Sequence, residues 1–130
     1  TDSTLKGQIV FAAERAAELM QEKIITDRTV IDVMAFCELS KSMNLYEKID
    51  INNMLLHLIK DYDVIFYVSP EGVKMEDNGV RETNLEYRDA INEEILKTLR
   101  INKDKIQNLT YLKGSTQERI NKIRETILLL

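Results

Sequence analysis

The chain has no tryptophan, one cysteine, one proline, four glycines and one histidine in 130 residues. A single cysteine, Cys37, excludes an intrachain disulfide and suits a reduced intracellular protein with a buried thiol. One histidine and one cysteine leave almost no material for a Ser-His-Asp triad or a zinc site. His57 lies off the apolar stripe of its own segment, where a solvent-facing or satisfied ring is the simpler assignment. So little proline and glycine argues against a turn-rich sandwich and against linker-rich sequence. No apolar run approaches the roughly 18 residues of a membrane span, and no signal peptide is present. A cytoplasmic protein without membrane association is therefore expected. Basic charge is not in excess either: 18 Lys and Arg are scattered among 22 Asp and Glu, for a formal charge of −4. That argues against a dedicated nucleic-acid surface.

What is present suits one globular domain over residues 1–130, with 44% hydrophobic and 31% charged residues. The chain starts at Thr1 and enters a helix almost at once, as the continuation of a larger unit would. Residues 8–22 read as a helix with an apolar stripe of Ile9, Ala13, Ala16 and Met20, widened by Ala12 and Leu19. Ile24, Ile25 and Thr26 form a short β-branched run that predicts a buried strand. A helix over 30–40 follows, with Thr29 and Asp32 as an Asp-for-Glu capping box. Residues 44–60 read as a third helix, broken near Asp50, that buries Ile51, Met54, Leu55, Leu58 and Ile59.

Val64-Ile65-Phe66-Tyr67-Val68 is the clearest strand signal. Its apolarity is continuous rather than alternating, which implies burial on both faces in a parallel sheet. Residues 70–83 lack periodicity and carry Gly72 and Gly79, as a lid does. Thr83 with Glu86 caps a helix over 84–100, a third strand spans about 106–112, and Ser115 with Glu118 caps the last helix. The order predicts an α/β fold of βαβ units.

In such a sheet ligands bind beyond the carboxyl ends of the strands. Three such ends should converge: Asp27-Arg28, the loop after Val68, and Lys113-Gly114-Ser115. An acid and a base at a helix N-terminus suit an anionic ligand with a metal ion. The plain alternative is a polar turn whose Arg28 pairs with a nearby carboxylate. Arg81 and Arg88, seven residues apart, would share a helix face if the helix extended back. Two arginines on a mobile element are what phosphoryl transfer needs to neutralise spreading charge. Against this, Arg88 has Asp89, Glu86 or Asn84 available on its own helix.

Three stretches together carry a resemblance: Asp-Arg-Thr-Val-Ile-Asp-Val-Met-Ala-Phe, Tyr-Asp-Val-Ile-Phe-Tyr-Val-Ser-Pro, and Asp-Asn-Gly-Val-Arg-Glu-Thr-Asn-Leu-Glu-Tyr-Arg-Asp-Ala-Ile. Over residues 8–127 the chain resembles the P-loop nucleoside and nucleotide kinases. It is most similar to the AAA-type ATPase/kinase group that includes the nicotinamide-riboside kinase domain, and more distantly to thymidylate kinase and the deoxynucleoside kinases. The resemblance implies a three-layer α/β/α fold with a parallel sheet and a lid at about 70–88. It also implies ATP and Mg2+ as cofactors, and a nucleoside, nucleotide or related small metabolite as phosphoryl acceptor. Asp27 takes the place of the acid near magnesium or of the base, Arg28 that of the substrate or phosphate anchor, and Arg81 with Arg88 that of the lid clamp. Lys113, Gly114 and Ser115 take the place of the turn that packs on adenine. Homodimerisation is left open as an expectation for the chain.

The departure from the family is large. No Walker A loop, G-x-x-x-x-G-K-[ST], occurs in these 130 residues. The strand before that loop and the helix after it are missing too, a unit on the order of 30–40 residues. A parallel sheet without that first strand should show a gap beside residues 64–68. The alternative function is a non-catalytic or slowly hydrolysing ATP-binding module of the same ancestry.

Overall fold

The computed structural model describes residues 3–70 and 85–130. Five helices and two strands follow in the order α1 (Leu5–Glu18), α2 (Val30–Leu39), α3 (Leu45–Leu56), β1 (Ile65–Val68), α4 (Leu85–Ile101), β2 (Leu109–Leu112) and α5 (Thr116–Leu128). Single 3-10 turns, Ile59–Asp61 and Lys103–Lys105, precede the two strands. The fold is mixed α/β, and the strands pair in parallel, with Ile65 opposite Leu109 and Val68 opposite Leu112. Much of the expected lid falls on residues 71–84 and so lies outside the described residues, as do Arg81 and Thr83.

α2 is the centre of the core. Val30, Ile31, Val33, Met34, Ala35 and Cys37 are all buried, so the helix is covered on most of its circumference. A helix that is hydrophobic all round can only be an internal one. α1, α3 and α4 pack against it, and Leu55, Ile59, Ile65 and Leu99 complete the cluster. Each such fully buried aliphatic side chain stabilises the fold by about 1.5–3 kcal/mol. Burial pushes the Cys37 thiol up to about 11, so it is a core side chain and no nucleophile.

Several expected elements are corrected. Residues 24–26 form no strand among the described residues, and Ile24 and Ile25 are 41% and 76% exposed. β-branched residues favour a strand only where a neighbouring strand pairs with them, and here none does. α1 buries Gln8 and Ala12, with Leu5, Phe11 and Leu19 packed on the core, whereas Ile9 and Met20 face outward. The chain entering it is held by the hydroxyls of Ser40 and Ser42, which both donate to the Ser3 carbonyl. α3 runs unbroken through Asp50 and stops at Leu56, leaving Met54 exposed. β2 is shorter than the expected 106–112 run and begins at Leu109, where its pairing with Ile65 of β1 begins.

Side-chain alternation assigns the two faces of the small sheet. Ile65 joins the α2 core, and the Tyr67 hydroxyl donates to Asn92 Oδ1 on α4. Tyr67 also meets its ladder partner Tyr111 edge to face, with ring centroids 5.7 Å apart. Val68 and Leu112 point the other way, toward Ile120 and Ile123 of α5. α5 contributes a single buried residue, Thr126, so it covers that face loosely.

A further hydrogen bond ties α2 to the turn that precedes β1. The Val30 backbone N–H, buried at the first turn of α2, donates to the Tyr62 hydroxyl at 3.1 Å. Burial pushes the Tyr62 phenol up to about 12, so it stays neutral as an acceptor. Tyr62→Phe is expected to leave that N–H without a partner and lower unfolding free energy by about 1–3 kcal/mol in a urea titration. An unchanged midpoint would show that water replaces the hydroxyl.

Candidate functional site

Two cavities adjoin at Val68 and Leu112. The larger, about 1100 Å3, is an open slot running along β1. Its opposite wall is the segment between α1 and α2, which carries Ile24, Ile25, Asp27 and Arg28. That segment leaves α1 through Lys23, a non-glycine residue at φ 54°, a conformation that L side chains rarely adopt. It is then held by the Thr26 hydroxyl, which donates to the Arg28 carbonyl at 2.9 Å.

Asp27 is exposed on the slot wall. Arg28 lies 4.0 Å from the Asp32 carboxylate and places its guanidinium 5.6 Å from the centre of the Phe36 ring. These contacts orient the arginine, and they include the carboxylate partner that a polar turn would supply. The start of α2 does not present free donors. Asp32 accepts from the Thr29 N–H at 2.8 Å, the Thr29 hydroxyl accepts from the Ile31 N–H at 3.0 Å, and Tyr62 takes the Val30 N–H. An anion placed there would have to be bound by side chains, because the backbone groups that usually serve are engaged.

The smaller cavity, about 450 Å3, lies at the carboxyl edge of the two strands. Gly114 and Ser115 line it with Arg119, Ile120 and Ile123. Gly114 has φ 92°, and a Cβ there would come within 3.0 Å of the Glu118 carboxylate, so the turn requires glycine. Ser115 and Glu118 form the expected capping box: the Glu118 N–H donates to Ser115 Oγ at 3.1 Å, and the Ser115 N–H donates to Glu118 Oε1 at 3.1 Å. Those bonds hold the exposed Glu118 carboxyl below its usual range.

Arg119 emerges from the structure and was not singled out in the sequence. Its Nε donates to the Gly114 carbonyl at 3.0 Å and its Nη1 to the Ser69 carbonyl at 2.9 Å. It thereby ties the turn after β2 to the residue that follows β1. The sequence does carry a signal for it: a cation four residues beyond a capping serine lies one turn above the cap, within reach of the preceding turn.

The sequence-predicted residues thus divide. Asp27 and Arg28 share the slot, Gly114 and Ser115 share the edge recess, and the two cavities share Val68, Leu112 and Ile123. Lys113 is exposed and Arg88 half-buried, and neither lines either cavity. Among the described residues no three His, Cys, Asp or Glu side chains cluster as a metal site, and no helix is long and apolar enough to cross a membrane. No family model, curated protein or solved structure matches the chain.

Burial raises the Asp32 carboxyl above its ordinary 3.8, a rise opposed by the Thr29 N–H and by Arg28. A raised carboxyl in the folded state means that folding favours the protonated form. Its contribution to stability is full below pH 3.8 and is lost as pH rises through the folded-state value. Asp32→Asn keeps an acceptor for Thr29 and removes that titration. Relative to the wild type, the variant is expected to gain stability as pH rises from 3.8, in urea titrations across the acid range. A difference that does not change with pH would show that the carboxylate is not destabilised by burial.

Proposed function

We propose that these residues form the acceptor side and the base side of an ATP-dependent phosphotransferase of the P-loop nucleoside and nucleotide kinase type, acting on a nucleoside, nucleotide or related small metabolite. One observation carries the reading: Asp27 and Arg28 face a slot that runs along a parallel strand and adjoins the Gly114–Ser115 turn at the carboxyl edge. This is where open α/β sheets bind ligands. In this reading Arg28 anchors an acceptor phosphate or hydroxyl, already aligned by Phe36 and Asp32. Asp27 is the base, or the one carboxylate near magnesium. The Gly114–Ser115 turn, held by Arg119, is the surface for the base of the nucleotide. Arg81 and Arg88 are the lid clamp in the same proposal. The protein is placed in the cytoplasm.

Magnesium fits this arrangement in part, since that ion commonly takes one or two carboxylates and completes its shell with phosphates and water. The triphosphate does not fit these residues alone. They hold no Walker A loop, and the first N–H groups of α2 are already engaged. In this reading the phosphate cradle is not supplied by these residues. The same facts favour a second reading, a nucleotide-binding module without phosphoryl transfer.

Titration with nucleosides, nucleoside monophosphates and Mg-ATP tests the proposal, followed by NMR at the backbone amides of Asp27, Arg28, Gly114 and Ser115. Acceptor binding is expected to shift Asp27 and Arg28 and to weaken about tenfold or more in Arg28→Ala, the loss of a charge-assisted hydrogen bond. No binding by any of these ligands overturns the proposal. Asp27→Asn is expected to retain acceptor binding and abolish acceptor-stimulated ADP release. Full activity in that variant removes Asp27 from its role, and binding without acceptor-stimulated release in the unaltered protein decides for the second reading.

A further inference from the structure

Among the described residues, six acidic side chains line the slot against two basic ones, Lys23 and Arg28. Two of the six are offset where they stand. Glu18 pairs with Arg15, and Asp32 lies 4.0 Å from Arg28 and accepts from the Thr29 N–H. The other four, Glu22, Asp27, Asp61 and Asp63, are exposed and make no ion pair among the described residues. They stand on three segments: the chain leaving α1, the 24–28 wall, and the residues before β1. The negative sign therefore belongs to the whole slot and not to one loop. A cleft of one sign with apolar walls focuses its field on whatever enters. Donors for an anion are few, since Arg28 is shared with Asp32 and Phe36 and the first N–H groups of α2 are engaged. One buried donor is left over. The Tyr62 hydroxyl accepts from the Val30 N–H, and its own proton has no acceptor among the described residues.

We infer that the slot selects its acceptor by charge: it takes an uncharged, hydroxyl-bearing molecule, a nucleoside, and rejects the phosphate monoester of that molecule. The inference rests on the phosphotransferase reading and narrows its acceptor. A sugar hydroxyl both donates and accepts, which matches a slot offering one O–H donor and several carboxylate acceptors. A phosphate monoester carries about two negative charges at neutral pH and offers oxygens that only accept. It would meet Glu22, Asp27, Asp61 and Asp63 with nothing to donate to them, and Lys23 is the one cation there not already shared with a carboxylate among the described residues. Unpaired like charges of this kind are how a site discriminates against a ligand whose shape it would otherwise admit. Arg28 then serves the acceptor hydroxyl and not an acceptor phosphate.

Amide NMR titrations at Asp27 and Arg28 test it, using adenosine, guanosine, cytidine and uridine and the 5′-monophosphate of each. The tightest-binding nucleoside is expected to bind about tenfold or more tighter than its own monophosphate at an ionic strength of about 0.01 M, where charges act over about 30 Å. At about 1 M, where that range falls to about 3 Å, the ratio is expected to shrink to about twofold. The double variant Asp61→Asn with Asp63→Asn removes two exposed charges and is expected to improve monophosphate binding several-fold at low ionic strength. A monophosphate that binds as tightly as its nucleoside overturns the inference and leaves the phosphotransferase reading standing with a nucleotide acceptor. A preference that is equal at both ionic strengths, or a double variant without gain, overturns the inference as well. No binding by any of these ligands overturns the phosphotransferase reading itself, and the inference falls with it.

Discussion

Burial of α2 is the constraint on which the other elements depend. A helix covered nearly all round leaves its first N–H groups no access to water, so each needs a partner inside the protein. Thr29 and Asp32 supply two from the adjoining sequence, and Tyr62 supplies the third from 32 residues away. That third bond joins the helical core to the turn entering β1, and so sets how the strand lies against α2. Packing then follows from it: α1, α3 and α4 each bury one face on the same central helix.

The same bonds shape the chemistry available nearby. A helix start whose donors are all engaged offers an anion little more than its dipole and the side chains around it. Arg28 is the cation there, and Phe36 and Asp32 already restrict its orientation. At the other cavity the pattern is repeated with different residues. Ser115 and Glu118 close the start of α5 on themselves, and Arg119 reaches back to two carbonyls across the strand ends.

The weak point of the architecture is the sheet. Two strands alone are marginal and depend on helices to cover them. Here one face is covered well by the helical core and the other only loosely by α5. Among the described residues, no strand lies beside the other edge of β1.

Local sequence determined a good deal. The capping pairs Thr29–Asp32 and Ser115–Glu118 mark helix starts because both partners lie within one turn of each other. The continuous apolar run at 64–68 marks a buried strand because its composition suits no other setting. Gly114 marks a turn because only glycine tolerates its backbone angle. Tertiary structure decided the rest. The chain entering α1 is held by Ser40 and Ser42, whose hydroxyls donate to the Ser3 carbonyl across almost 40 residues, a contact that the periodicity of α1 does not encode. Residues 24–26 failed to become a strand because a strand is a pairing between segments, and composition alone cannot supply the partner.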